Sequence, residues 1–349
     1  MRLKDVARTA GVSTATVSHV INNTKYVSDA TREKVVRAIK QCNYYANAHA
    51  RSLASGRSNI IGLLVSDISN PFFPELVKSI EDAAFESGYN IILVNTNYDA
   101  DRAADYVRRL IELKVAGVAL MTTEFDFQLI DELAARKVPV VLHNVGTTGD
   151  HMNDVLVDYA SGIDEAVSHL VELGHSRIVH IAGPARFRSA IIRQEAFLES
   201  FHRYLPGMPE PAIFEGDFKF AGGKQAAEKV LESQILPTAV VVANDLMALG
   251  AMQQFRDAGL EIPRDISIIG FDDITFAALS EPPLTTVCSP RAEIGRKAIE
   301  ALMATIKHSA DSGKVVRVQT FLVRRRTTAV PANSIQTAKT RRRIKGTAK

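Results

Sequence analysis

From Asn59 onward, short β-branched runs alternate with amphipathic helical stretches, and this alternation limits the fold more than any other feature. A first series reads NIIGLLVSD then PELVKSIEDAAFESG, YNIILVNTN then RAADYVRRLIELK, VAGVALMTT then FQLIDELAARK, VPVVLHN and VLVD. A second reads SGIDEAVSHLVELG, SRIVHIAG then SAIIRQEAFLESFHRY, AIFEGD then AGGKQAAEKVLES, TAVVVAND then LMALGAMQQFRDAG, and DISIIGFDD. Strands that are apolar along their whole length and separated by helices belong in parallel sheets covered on both faces. Two series predict two doubly wound subdomains. Ligands in such sheets bind beyond the C-terminal strand ends, where Asp67, Asn97, Asn144, Asp158, Asn244, Asp245, Asp272 and Asp273 fall.

The chain has 349 residues, more than these series need, and about 150 residues per domain suggests two or three domains. With 46% hydrophobic and 23% charged residues it is an ordinary globular composition, which excludes collagen, coiled-coil and disordered classes for the whole. A run of about 20 apolar residues is missing, so no membrane span and no membrane partner are expected. The N-terminal MRLKDVARTAGVS lacks the apolar run of a secretory signal. Cys42 and Cys288 make no disulfide framework, and a reducing cytoplasm is the expected compartment.

Charge separates a head from a body. Residues 1–58 hold ten Lys/Arg against Asp5, Asp29 and Glu33, a balance of +7. Residues 331–349 carry +6, and the stretch between carries −10, within a net +3. A basic head on an acidic body is what a polyanion-binding module produces. Charge alone does not separate DNA from RNA or an anionic membrane, nor from a merely solvated face.

The motifs in the head are more specific. KDVARTA reads as a short helix, and Gly11 follows where a tight turn needs a left-handed residue. Ser13 is a natural N-cap for a second helix, TATVSHVIN. Its Val17, Val20 and Ile21 face a core, which leaves Thr14, Ala15, Ser18, His19 and Asn22 outside. Ala7, Gly11 and Val17 have helix-turn-helix spacing: a close crossing, a turn and a lock. A third helix from Ser28 directs Val35, Val36 and Ile39 inward. A short second helix with a polar outer face fits the major groove of B-DNA. The bland alternative is a small helical cap with no DNA role.

KDVARTAGVSTATVSHVIN, VSDATREKV and NAHARSLASGRSNIIGLL, in that order, resemble the LacI/GalR family of bacterial transcription regulators. The resemblance runs from Leu3 to about Val330, and the head is most like the purine-repressor subgroup. It implies a repressor that binds a palindromic double-stranded DNA operator as a homodimer under control of a small metabolite, a sugar or sugar derivative, without a cofactor. Thr14, Ala15 and His19 would read base edges, and Ser13, Thr16 and Asn22 complete the candidate DNA contacts. Residues 46–58 become a hinge helix rather than a plain linker. There Leu53 would wedge into the minor groove and Arg51 would meet phosphate.

The body is similar to the periplasmic sugar-binding fold, with crossings between subdomains placed near Asp158, Val287 and Gly313. The expected organisation is a helix-turn-helix domain over 1–45, the hinge over 46–58 and an effector-binding and dimerisation domain over 59–330. That domain divides into an N-subdomain (about 59–158 and 288–313) and a C-subdomain (about 159–287 and 314–330). A disordered basic tail follows at 331–349, without the leucine heptad of a tetramer. The family's ligand contacts carry over to Phe72, Phe73, Asn144, Arg193, Phe218, Asn244, Asp245 and Asp272. At Asn144 many relatives carry Asp. Phe72 and Phe73 could also be core, and Asp245 reads equally as an N-cap. Arg186 and Arg188 either face solvent or favour an anionic ligand.

Two other classes compete. A doubly wound enzyme should show a P-loop, GxGxxG, GxSxG or HExxH, and the chain has none of these. His143, His151, His169, His175 and His180 lack metal-ligand spacing and read as surface or satisfied core residues, so no metal is expected. An exported solute-binding protein would share the body but lack the basic head.

Overall fold

The computed structural model describes residues 3–22, 25–44, 58–122, 127–308 and 313–332. Arg51, Leu53 and the hinge expected around them, together with 333–349, lie outside the described residues. The chain divides into two compact units, 1–59 and 60–349.

The first unit holds α1 (Leu3–Ala10), α2 (Thr14–Asn22) and α3 (Asp29–Gln41). Val6, Ala7, Val17, Val20, Val35, Ala38 and Cys42 form its core. Gly11 sits at φ 66, in the left-handed region that lets α1 stop and α2 begin within three residues. The Val12 N–H closes the turn on the Ala7 carbonyl at 3.1 Å. The Ser13 hydroxyl caps α2 by accepting the Thr16 N–H at 3.1 Å. One expectation fails here: Val36 is 41% exposed. The inward stripe of α3 passes through Val35, Ala38 and Cys42 at three- and four-residue steps, and Val36 lies about 100° off it.

The second unit contains two six-stranded sheets. The first has the order β11-β5-β4-β3-β1-β2 and is built from β1 (Ile60–Val65), β2 (Asn90–Asn95), β3 (Gly117–Met121), β4 (Val140–His143), β5 (Met152–Asp158) and β11 (Val315–Gln319). All its pairings are parallel. Helices α4 (Phe72–Glu86), α5 (Ala100–Glu112) and α6 (Phe127–Ala135) connect the strands. The strand alternation shows that both faces are covered. Leu63, Val65, Ala119 and Met121 join one apolar cluster, while Leu64, Val118 and Leu120 join another.

The second sheet has the order β12-β10-β9-β8-β6-β7. Its strands are β6 (Ile178–Ala182), β7 (Ile213–Glu215), β8 (Ala239–Val242), β9 (Ser267–Asp272), β10 (Thr285–Cys288) and β12 (Phe321–Val323). Only the edge pair β10–β12 is antiparallel. Its helices are α7 (Tyr159–Glu172), α8 (Arg188–Tyr204), α9 (Phe220–Leu231), α10 (Asp245–Asp257) and α11 (Thr275–Leu279). Helix α12 (Arg291–His308) leaves the second sheet and returns to the first lobe, where Ser79 of α4 donates to the Arg291 carbonyl at 2.9 Å.

The chain therefore passes between lobes after Asp158, again in the two residues after Cys288, and a third time at Thr320. Thr320, not Gly313, is the third crossing, because β11 still belongs to the first sheet and β12 already belongs to the second. An extended strand following 313 satisfies its backbone against β5 before it crosses. The first and third crossings are joined side by side. Thr320 Oγ1 donates to the Asp158 carbonyl at 2.6 Å and accepts the Gly162 N–H at 2.9 Å, and Ser161 donates to the Thr320 carbonyl at 2.7 Å. No described helix is long and apolar enough to cross a membrane.

Candidate functional site

Two surfaces carry the candidate chemistry, one in each unit. In the first, Thr14 and Ala15 open α2 and are exposed, while Thr16 and His19 are half-buried. Ser13 spends its hydroxyl on the cap, so its first role in the structure is to shape the start of the helix. Asn22 is the last residue of α2.

In the second unit, a cleft of about 500 Å³ opens where strands of both sheets end. Of the expected ligand residues, Phe72, Phe73, Arg193, Phe218, Asn244 and Asp272 line it. Strand register sets the first-lobe side. Val65 pairs with Met121, so Ser66 and Thr122 follow side by side, and Ser66 donates to Thr122 Oγ1 at 2.8 Å. Asn70 accepts the Phe72 N–H at 3.1 Å and so fixes the start of α4, where Phe72 and Phe73 meet edge to face at 5.3 Å.

Arg193 organises the second-lobe side. Ser189 and Arg193 are one helical turn apart on α8, so both face the cleft. Arg193 Nη1 donates to the Ala243 carbonyl at 2.6 Å and Nη2 to Asp272 at 3.4 Å, while the buried Nε has no hydrogen-bond partner. The guanidinium lies 4.0 Å from the Phe271 ring centre and 4.6 Å from that of Tyr159, within cation–π range. Burial pushes the Asp272 carboxyl up to about 6, against the opposing pull of Arg193 and then Arg291. Asn244 caps α10 by accepting the Met247 N–H at 3.0 Å and donates to the Phe218 carbonyl at 2.9 Å. The Phe218 ring closes over Gly183: a Cβ there would sit 2.3 Å from it. Tyr98 stacks on Phe187 at 4.8 Å, and Phe187 lies parallel to Phe218 at 6.2 Å, so an aromatic ladder connects the lobes.

A polar bridge also joins the lobes. Glu75 of α4 accepts the Thr275 N–H at 3.1 Å and its hydroxyl at 2.8 Å through Oε1, and pairs with Arg291 Nε at 2.9 Å through Oε2. Arg291 in turn donates to the carbonyls of Asp272 and Asp273.

Three expectations about the cleft are corrected. Asn144 does not line it; it adopts φ 56 directly after β4 and turns inward, where its Oδ1 accepts the Val157 N–H at 2.5 Å. The strand ends one residue earlier than the expected contact required, so the cleft-facing position belongs to His143. Asp245 is fully buried away from the cleft. It accepts Thr286 Oγ1 at 2.5 Å and the Ile274 N–H at 2.9 Å, and burial, then the Asp272 charge, raises its carboxyl well above the ordinary range. Nor is Asp245 the N-cap, which is Asn244.

His143, expected on the surface or in a satisfied core, lines the cleft, and its buried Nδ1 has no hydrogen-bond partner. By contrast His175 bonds Thr238 and the Ala329 carbonyl through its two ring nitrogens; His180, which does not line the cleft, bonds the Val241 carbonyl through Nδ1 while its buried Nε2 has no partner among the described residues. Tyr98, Tyr159 and Met121 were also missed as lining residues. Each stands at or just past a C-terminal strand end, the one signal that could have flagged them. Arg186 and Arg188 are exposed and do not line the cleft; Arg186 lies over the Phe187 ring at 4.5 Å.

Known proteins share this arrangement. Residues 2–47 match the bacterial regulatory proteins of the lacI family, and residues 167–328 match the periplasmic binding protein-like domain. The ribose operon repressor of Escherichia coli (strain K12) is 40% identical over 307 residues, covering 87% of this chain and 92% of that protein. The HTH-type transcriptional repressor PurR of Vibrio cholerae serotype O1 is 36% identical over 326 residues, covering 93% and 97%. Among solved structures, the lac repressor dimer bound to operator and the anti-inducer ONPF superposes with a TM-score of 0.84 at 31% identity, covering 94% of this chain and 99% of that one. A capped helix-turn-helix, a two-lobed body and likeness that runs nearly end to end lead to one assignment: this chain is a member of the lacI family of bacterial regulatory proteins.

Proposed function

We propose that the protein is a transcriptional repressor that binds a palindromic operator as a homodimer and is switched by a small metabolite in the body cleft. The carrying observation is one chain that holds both a capped recognition helix, with Thr14 and Ala15 exposed, and an aromatic-walled cleft organised around Arg193. The relatives support it by their names, which are those of repressors. Thr14, Ala15 and His19 read base edges, Ser13, Thr16 and Asn22 complete the contacts, Arg51 meets phosphate and Leu53 wedges into the minor groove. In the cleft, Phe72, Phe73 and Phe218 present flat faces to ligand C–H groups, and Arg193, Asn244 and Asp272 present planar polar groups, a combination suited to a sugar. A cytoplasmic protein working on the nucleoid is the setting this reading requires.

A ligand switches such a protein only by its differential affinity for two body conformations. The two-lobed cleft supplies a route, since closure is a hinge motion about the crossings. The test is selection of binding sites from random duplex by the purified full-length protein. The expected outcome is an enriched inverted repeat whose affinity falls steeply as salt rises. No preference over random duplex, or a flat salt response, overturns the reading.

A further inference from the structure

We propose that His143 is a ligand-contacting residue that sets specificity, and that with the self-neutralised Arg193–Asp272 pair opposite it the cleft selects a neutral polyhydroxyl ligand over an anionic one. This rests on the reading of the cleft as the effector site. His143 ends β4, lines the cleft and is only 7% exposed, yet among the described residues nothing is hydrogen-bonded to its Nδ1. A buried polar atom without a partner is costly, so such atoms are normally paired. His175, ahead of β6, shows the ordinary case with both ring nitrogens bonded, whereas His180 bonds the Val241 carbonyl through Nδ1 and leaves a buried Nε2 unpartnered away from the cleft lining. His143 instead keeps hydrogen-bonding capacity at the cleft wall.

Its charge state decides what it can recognise. Burial, then the nearby Arg193 charge, lowers the imidazole to about 4, so the ring is neutral at physiological pH. A neutral imidazole carries one N–H donor and one lone-pair acceptor, the complement of a hydroxyl, which also donates and accepts. Among the described residues the lining offers one guanidinium and one carboxylate, Arg193 and Asp272, already paired with each other. A sugar acid or phosphosugar would enter with a net negative charge and meet no unpaired cation among the described lining residues. Arg186 and Arg188, the cations that could have served, are exposed and outside the lining.

The experiment uses the full-length protein with D-ribose, D-xylose and D-galactose as neutral probes, and D-ribose 5-phosphate and D-galacturonate as anionic ones. Thermal shift and titration calorimetry read binding. At least one neutral sugar binds, and the anionic probes bind at least about tenfold more weakly. His143→Leu weakens the bound sugar about tenfold or more, the loss of one good hydrogen bond, and His143→Gln recovers part of it. In the unaltered protein, the ¹⁵N shifts of the His143 ring nitrogens move when that sugar is added, a readout that survives a misfolded variant. Equal affinity in His143→Leu, or unmoved ring nitrogens, overturns the inference. So does binding of the anionic probes in preference to the neutral ones, which leaves the effector-site reading standing. Binding of none of the five removes both.

Discussion

The two walls of the cleft are built on different terms. On the second-lobe wall the charged and polar groups are tied to the protein itself: Arg193 to Asp272 and the Ala243 carbonyl, and the Asn244 amide to Met247 and Phe218. These side chains are held by the protein's own hydrogen bonds, which is preorganisation. Among the described residues the first-lobe wall carries no charge, and its His143 ring has a buried nitrogen without a partner. Apart from the unpartnered Arg193 Nε, one wall is bonded to the protein's own groups, and the other has a ring whose described surroundings leave a nitrogen free.

The largest expected effect strikes the prepared wall. Arg193→Ala leaves the Asp272 carboxylate buried without its cation, and about 3–5 kcal/mol of body stability is lost in urea unfolding at pH 8. Arg193→Ala with Asp272→Asn recovers part of that loss. A cost near zero for the single variant would break the claim that this wall holds itself together.

Acid sharpens the contrast, because the walls respond with opposite sign. His143 titrates at about 4, below the ordinary 6.5, so the unfolded chain takes its proton first and stability drains away between pH 6.5 and 4. Asp272 titrates at about 6, above the ordinary 3.8, so the folded chain takes its proton first and stability is gained on the same descent. Each contribution is about 3 kcal/mol over its full range. His143→Gln therefore flattens the acid loss and Asp272→Asn steepens it, in urea titrations at pH 7, 6, 5 and 4.5. Parallel changes in the two variants would end the distinction.

The smallest effect concerns the bridge between the walls. Glu75→Gln weakens the charged bonds to Thr275 and Arg291 and costs about 1–2 kcal/mol. It also shifts the resting cleft toward open, read as a larger radius of gyration in solution scattering. An unchanged radius with unchanged stability would show that the lobes are held by the crossings alone.

The same contrast explains what could be read in advance. Strand runs such as AVVV and IIGLLV announce parallel sheets because burial on both faces leaves no polar period. Phe72, Arg193, Phe218 and Asp272 were legible through the family resemblance, whose ligand contacts carry over to them position by position, whereas the Arg193–Asp272 pairing joins residues 79 positions apart and has no local signature. His143 was not, since a lone histidine after VVL looks like any core histidine until its partners are counted. Asn144 and Asp245 were misplaced by a single position each: one residue of strand length decides which side chain faces the cleft. The third crossing lies seven residues beyond the Gly313 expected from the fold resemblance, because Thr320 announces itself only through partners 159 and 162 positions away.

That Thr320 contact has a mechanical consequence. Two of the three connecting strands are clasped where they leave one lobe for the other, so they twist together or not at all. Such a joint suppresses sliding and splaying and leaves rotation about one line as the soft motion. A molecule seated between the lobes then has a single coordinate on which to act, and whatever the body is attached to receives a defined stroke.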